Sequence, residues 1–126
     1  MKITKVTSVL VVENIKKESV LWTALGFKTV VEVPHGETVG FSILSNGEYE
    51  IMFQTPASLK DDLPAVVQHL KGQKHYLFTD VDSLQDAKKA LKDSEIIVPE
   101  RDTFYGTKEF FIRTSSGEII GFAEKV

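Results

Sequence analysis

The chain has 126 residues, 42% of them apolar and 26% charged, with 15 Lys plus Arg against 18 Asp plus Glu. That length and balance suit one globular domain with a core of its own, and a formal net charge of −3 with scattered lysines lacks the basic stripe, interleaved with aromatics, of a nucleic-acid binder. No cysteine is present, which excludes a disulfide framework, a thiolate nucleophile and any cysteine-based zinc or iron–sulfur site.

The first apolar run, VLVV before Glu13, is too short for a signal peptide or a membrane span, so a cytoplasmic protein with no membrane partner is the expectation. Residues 2–12 read as a β-strand. Asn14 then suits an N-cap, because its short side chain can accept from the free amides of a first helical turn. Val20, Leu21, Ala24 and Leu25 form an apolar face on the helix that follows, and Gly26 ends it. KTVVEV alternates as a strand and stops at Pro34-His35-Gly36. TVGFSIL and EYEIMFQ follow as two more strands, joined at Asn46-Gly47, a pair that favours a tight type I′ hairpin.

Residues 56–73 read as a linker with one short helix, Pro64 standing in its first turn. The pattern then restarts. HYLFTDV is a strand; a helix follows with Asp82 as cap, Gln85 completing a capping box, and Leu84, Ala87 and Leu91 on one face. EIIVPE, KEFFIR and EIIGFAE are strands, with the loop RDTFYGT before the second and a Ser-Gly turn before the third. Residues 1–55 and 74–126 are thus two copies of one βαβββ pattern around the linker. Each copy is too small to bury a sheet well alone, so the expected class is α+β: two βαβββ modules forming a curved mixed sheet around a central cleft. Trp22, Phe27, Phe41, Phe53, Phe110 and Phe122 are core candidates. The loop with Arg101, Phe104 and Tyr105 offers a cation and two rings beside a glycine, a composition suited to ligand contact.

Three segments, VENIKKESVLWTALGFK, HYLFTDVDSLQDAKKAL and YGTKEFFIRTSSGEIIGFAE, resemble the glyoxalase / bleomycin-resistance / extradiol-dioxygenase superfamily, the vicinal oxygen chelate fold. The chain departs from the family's usual wording at Lys108, where Arg is common, and at Thr114-Ser115, where Asp-Pro is common. In metal-dependent members each module offers one ligand from its first strand and one from its last. The resemblance places His75 and Glu124 at those positions in the second module, and Thr7 and Gln54 in the first. A metal held there would use His75, Glu124 and Gln54, with Thr7 at the fourth position. The hydroxyl and the amide are neutral and weak donors for a first-row dication, so the divalent metal is not the favoured cofactor.

The reading favoured by the resemblance is a bleomycin-resistance-like protein that binds a small organic molecule without a metal. Gln54, His75, Arg101, Phe104, Tyr105 and Glu124 are its expected ligand-binding residues, in a homodimer as is common in the family. The alternative is a glyoxalase-like, metal-dependent lyase or isomerase, or a dioxygenase-related enzyme. Whether the chain is an enzyme stays open at this point, and no catalytic residue is assigned.

Overall fold

A computed structural model describes residues 2, 5–70, 72, 76–103 and 105–126, with His69 described by its backbone alone. The chain divides into two compact units, residues 1–73 and 74–126. The first runs β1 (Val9–Val11), α1 (Ile15–Ala24), β2 (Lys28–His35), β3 (Thr38–Ser45), β4 (Glu50–Gln54), α2 (Pro56–Asp62) and α3 (Pro64–His69). The second runs β5 (Leu77–Asp80), α4 (Leu84–Ala90), β6 (Glu95–Asp102), β7 (Thr107–Arg113) and β8 (Ile119–Lys125). Each unit carries a four-stranded sheet, ordered β1-β4-β3-β2 in one and β5-β8-β7-β6 in the other. The first strand of each lies parallel to the last, and the remaining pairs are antiparallel. This is the α+β class and the βαβββ repeat expected from the sequence.

Pairing limits set several element ends. β1 is three residues long where the sequence suggests eleven, because this edge strand bonds only to the five-residue β4. β2 continues through Pro34 to His35; at a sheet edge proline removes no ladder bond, and the register shifts between Val33 and Pro34. The Asn46-Gly47 turn is not type I′. It is a four-residue loop in which Asn46 Oδ1 accepts from the amides of Glu48 and Tyr49, and of the pair only Gly47 has positive φ, +97°. The linker holds two short helices, each opened by a proline at its first turn.

Asn14 caps α1, its side chain accepting from the Lys17 amide, and Gly26 follows the helix at φ +95°. The buried face of α1 is Ile15, Glu18 and Trp22; of the expected stripe Leu21 and Leu25 are half-buried, whereas Val20, at 69%, and Ala24 are exposed. Trp22 decides this orientation: its ring packs against Phe27 and Phe53, and burying an indole outweighs burying a valine. In the second unit the N-cap is Ser83, one residue beyond the expected Asp82, and its Oγ accepts from the Asp86 amide. Leu84, Ala87 and Leu91 are buried together as expected.

Cross-strand register separates the two faces of each sheet. Ser42, Leu44, Ile51 and Phe53 in the first unit, and Phe110, Ile112, Ile120 and Phe122 in the second, lie on the helix-bearing faces and are buried. The stacked Phe110–Phe122 pair has ring centroids 5.4 Å apart. Each of the Leu, Ile and Phe side chains so removed from water contributes about 1.5–3 kcal/mol.

On the opposite face of the second sheet, Phe111 lies flat over Gly121. A Cβ placed on Gly121 would stand 2.5 Å from Cε2 of that ring, closer than two carbons can approach. Gly121→Val is therefore expected to lower the stability measured by urea denaturation by about 1–3 kcal/mol through overpacking. The double change Gly121→Val/Phe111→Ala recovers part of that loss. No loss in the single variant contradicts the Phe111–Gly121 contact.

Candidate functional site

Thr7 stands seven residues before the Asn14 cap, and His75 stands seven before Asp82, the cap expected in the second unit. Counted from the observed cap Ser83, the position matching Thr7 is Tyr76. The parallel ladders agree, since Val11 pairs with Gln54 and Asp80 with Ala123, and each ladder ends on a matching bond, Val12 N to Gln54 O and Val81 N to Ala123 O. The counterpart of Gln54 is thus Ala123, and the spacing from Thr7 to Gln54 equals that from Tyr76 to Ala123, 47 residues. A one-residue slip in a strand exchanges its faces.

Glu124 follows from this. It lies in register with Lys108 on the helix-bearing face, and its Oε1 accepts from the Leu84 amide, 3.0 Å away, at the first turn of α4. A carboxylate suits the free amides and partial positive charge there. Gln54 is buried at the end of β4 and its Nε2 donates to Ser58 Oγ at 3.2 Å. Thr7 is half-buried. His75 and Phe104 lie outside the described residues. Of the other histidines, His35 bonds Asp61 through Nε2 at 2.7 Å, tying the end of β2 to α2.

Among the described residues no three His, Asp or Glu side chains gather to hold a metal ion. Glu124, the one anionic donor of the expected set, is engaged at the start of α4, and the first unit supplies only an amide and a hydroxyl. No chemical step is derived through a metal.

The face of the second sheet opposite α4 carries the chemistry the sequence reading did not assemble. Tyr76 and Phe78 flank Phe111, with ring centroids 5.7 and 6.4 Å from it. Tyr76 is 57% and Phe78 46% exposed, in contrast to the sealed rings on the other face. One row further along β7 stands Glu109, fully buried. Its Oε1 accepts from Arg101 Nε at 3.0 Å, Arg101 Nη2 at 2.5 Å and the Tyr105 hydroxyl at 2.9 Å; its Oε2 accepts from Thr107 Oγ1 at 3.3 Å. Arg101 belongs to β6, not to the loop, and sits directly across from Glu109. Arg101 and Tyr105 are thus brought together by Glu109, a carboxylate the sequence reading passed over.

A signal for it existed. Arg101 and Asp102 mirror Glu109 and Lys108 about Tyr105 with opposite charges, which is what a hairpin centred on that tyrosine places in cross-strand pairs.

Burial alone would push the Glu109 carboxyl up, but the hydrogen bonds from Arg101, Tyr105 and Thr107 and the Arg101 charge outweigh it and hold it below its ordinary value. The Arg101 guanidinium is raised in turn, chiefly by its hydrogen bond to Glu109. A carboxyl so depressed contributes stability that is complete above the ordinary carboxylate range and is lost as pH falls through its lowered value. Glu109→Gln is expected to be less stable than the parent at neutral pH and to lose less on acidification. Denaturation midpoints taken from pH 7 down to pH 3 check this, and parallel pH curves contradict it.

The comparisons with known proteins bear on the fold. No protein-family model and no curated protein matches the sequence. Solved structures do. A glyoxalase/bleomycin resistance protein/dioxygenase family enzyme from Burkholderia phytofirmans PsJN is 16% identical with a TM-score of 0.77, over 95% of this chain and 97% of its own. The chain has the glyoxalase/bleomycin-resistance/dioxygenase fold. TioX from Micromonospora sp. ML1 is also similar, 16% identical with a TM-score of 0.72 over 96% of both chains. So is a lactoylglutathione lyase from Agrobacterium tumefaciens, 14% identical with a TM-score of 0.73 over 98% of this chain and 95% of the other. Among the described residues no helix is long and apolar enough to cross a membrane.

Proposed function

We propose that the protein is a bleomycin-resistance-like binder of a small organic molecule, acting without a metal, on the sheet faces that α1 and α4 leave uncovered. The observation that carries this reading is the ring trio Tyr76, Phe78 and Phe111, open on one side and backed on the other by the side-chain-free Gly121. Aromatic surface half exposed in a folded unit is suited to stacking against a planar or apolar ligand. In the first unit, taken by itself, Val9, Phe41, Ile43 and Met52 stand on the face opposite α1, none of them sealed. The weak donor set supports the metal-free form over the metal-dependent lyase or isomerase. A homodimer belongs to the same reading, supported by Val30, Val31 and Val33, which stand exposed on the edge strand β2. So does a cytoplasmic location.

Titration with the uncharged dye N-phenylnaphthylamine tests the binding. Saturable binding is expected, and Phe78→Ser should weaken it about three- to tenfold, the worth of one aromatic contact. Equilibrium dialysis against nickel and zinc should find no stoichiometric uptake. Tight uptake that Glu124→Ala abolishes would establish the metal-dependent alternative, and absence of saturable dye binding would remove the proposal altogether.

A further inference from the structure

Arg101 has a combination of features that its pairing with Glu109 does not exhaust. Nε and Nη2 are turned inward onto one carboxylate oxygen, while the side chain remains 52% exposed. Besides Glu109, the Tyr105 hydroxyl stands beside the guanidinium, and with half of the side chain exposed the remaining N–H groups face solvent. A guanidinium can only donate, so whatever occupies that outer edge must bring acceptor oxygens. It is also already oriented, held by two bonds from below, so little rotamer freedom is lost when it binds.

The carboxylate beneath it does not cancel this preference. Glu109 is fully buried, and its two oxygens already take four donors, from Arg101, Tyr105 and Thr107. Its charge is therefore presented inward, and the charge facing solvent is the arginine's. Arg113 on the same face makes the contrast. Its Nε and Nη2 donate to the two oxygens of Glu95, but Glu95 is itself exposed and opposes any anion approaching from solvent. Asp80 shares the row with Glu109 and Arg101 but stands on β5, three strand spacings from β6, roughly 14 Å away.

Phe111 is two residues along β7 from Glu109 and points to the same face, so the ring trio and the arginine occupy neighbouring rows, roughly 7 Å apart along the strand. We propose that this face selects an aromatic organic anion, its planar body on Tyr76, Phe78 and Phe111 and its carboxylate, phosphate or sulfonate oxygens on the outer edge of Arg101. The proposal rests on the ligand-binding reading above and assigns its ligand class.

A matched pair of dyes tests it: anilinonaphthalene sulfonate and N-phenylnaphthylamine share one aromatic frame and differ in the sulfonate. In fluorescence titrations of the full chain the sulfonate is expected to bind at least about fivefold tighter, as a charge-assisted contact on a half-exposed arginine allows. Added salt shrinks that advantage.

Arg101→Gln/Glu109→Gln keeps a neutral hydrogen-bonding pair and should bind the two dyes with about equal affinity. Glu95→Gln/Arg113→Gln should retain the sulfonate preference. If near-ultraviolet circular dichroism shows the first double variant unfolded, Arg101→Lys replaces it, and the advantage should fall by at least about half for want of the planar outer edge. Equal affinity for the two dyes in the parent, or a preference that survives the Arg101 change, overturns the anion site while the apolar reading stands. Sulfonate binding that depends on Arg101 without any binding of the uncharged dye supports the anion site and overturns the apolar reading. A dimer that Phe78→Ser dissociates in sedimentation overturns the proposal, because a second copy of the chain then covers this face.

Discussion

In each unit an α-helix, α1 or α4, lies against one face of a four-stranded sheet. Trp22 against Phe53 fixes α1, while Leu84 and Ala87 of α4, with Leu91 just beyond it, are buried beside the stacked Phe110 and Phe122. Because strand side chains alternate, every residue that completes one face commits its neighbours to the other. The half-exposed aromatics of the second unit are the consequence. Tyr76, Phe78 and Phe111 occupy the alternate positions to the buried set, and Gly121 is the one residue of β8 that lets a ring lie flat on the backbone.

The same alternation places Glu109 on the face away from α4. A carboxylate removed from water persists as an anion only where charged and hydrogen-bonding partners replace its hydration. Here four donated bonds do so, and they draw β6, β7 and the turn between them into one network. Thr103 and Thr107 close that turn through their own hydroxyls, 2.7 Å apart. The arginine that neutralises the buried acid is the group left facing solvent, and disturbing either residue alters both fold and site.

Much of this architecture was legible in the sequence. The βαβββ repeat, the Asn14 cap, the glycine after α1 and the Leu84–Ala87–Leu91 stripe follow from local chemistry and recur in the folded chain. Finer placement was not legible, for one recurring reason. Asp82 and Ser83 are adjacent and both are good caps, so local chemistry does not choose between them. A shift of one residue moves the equivalent of Thr7 from His75 to Tyr76 and that of Gln54 from Glu124 to Ala123. On a strand that shift exchanges the two faces. Glu124 accordingly belongs to the first turn of α4 and not to the face the aromatics share. The α1 stripe misled differently: Glu18 is buried and Val20 exposed, because the helix rotates to seat Trp22. The Arg101–Glu109 pair depends on the register of β6 against β7, which is interrupted by irregularities between Ile96 and Arg101 that no local pattern announces.

The faces opposite the helices are proposed as the place where this protein meets its ligand. Ring resonances of 13C-labelled phenylalanine and tyrosine, followed by NMR as the chain is titrated with anilinonaphthalene sulfonate, test it most directly. The account predicts saturable shifts for Tyr76, Phe78, Tyr105 and Phe111, with Phe53, Phe110 and Phe122 unmoved. Shifts concentrated on the helix-bearing rings, with Phe78 and Phe111 unchanged at saturation, would contradict it.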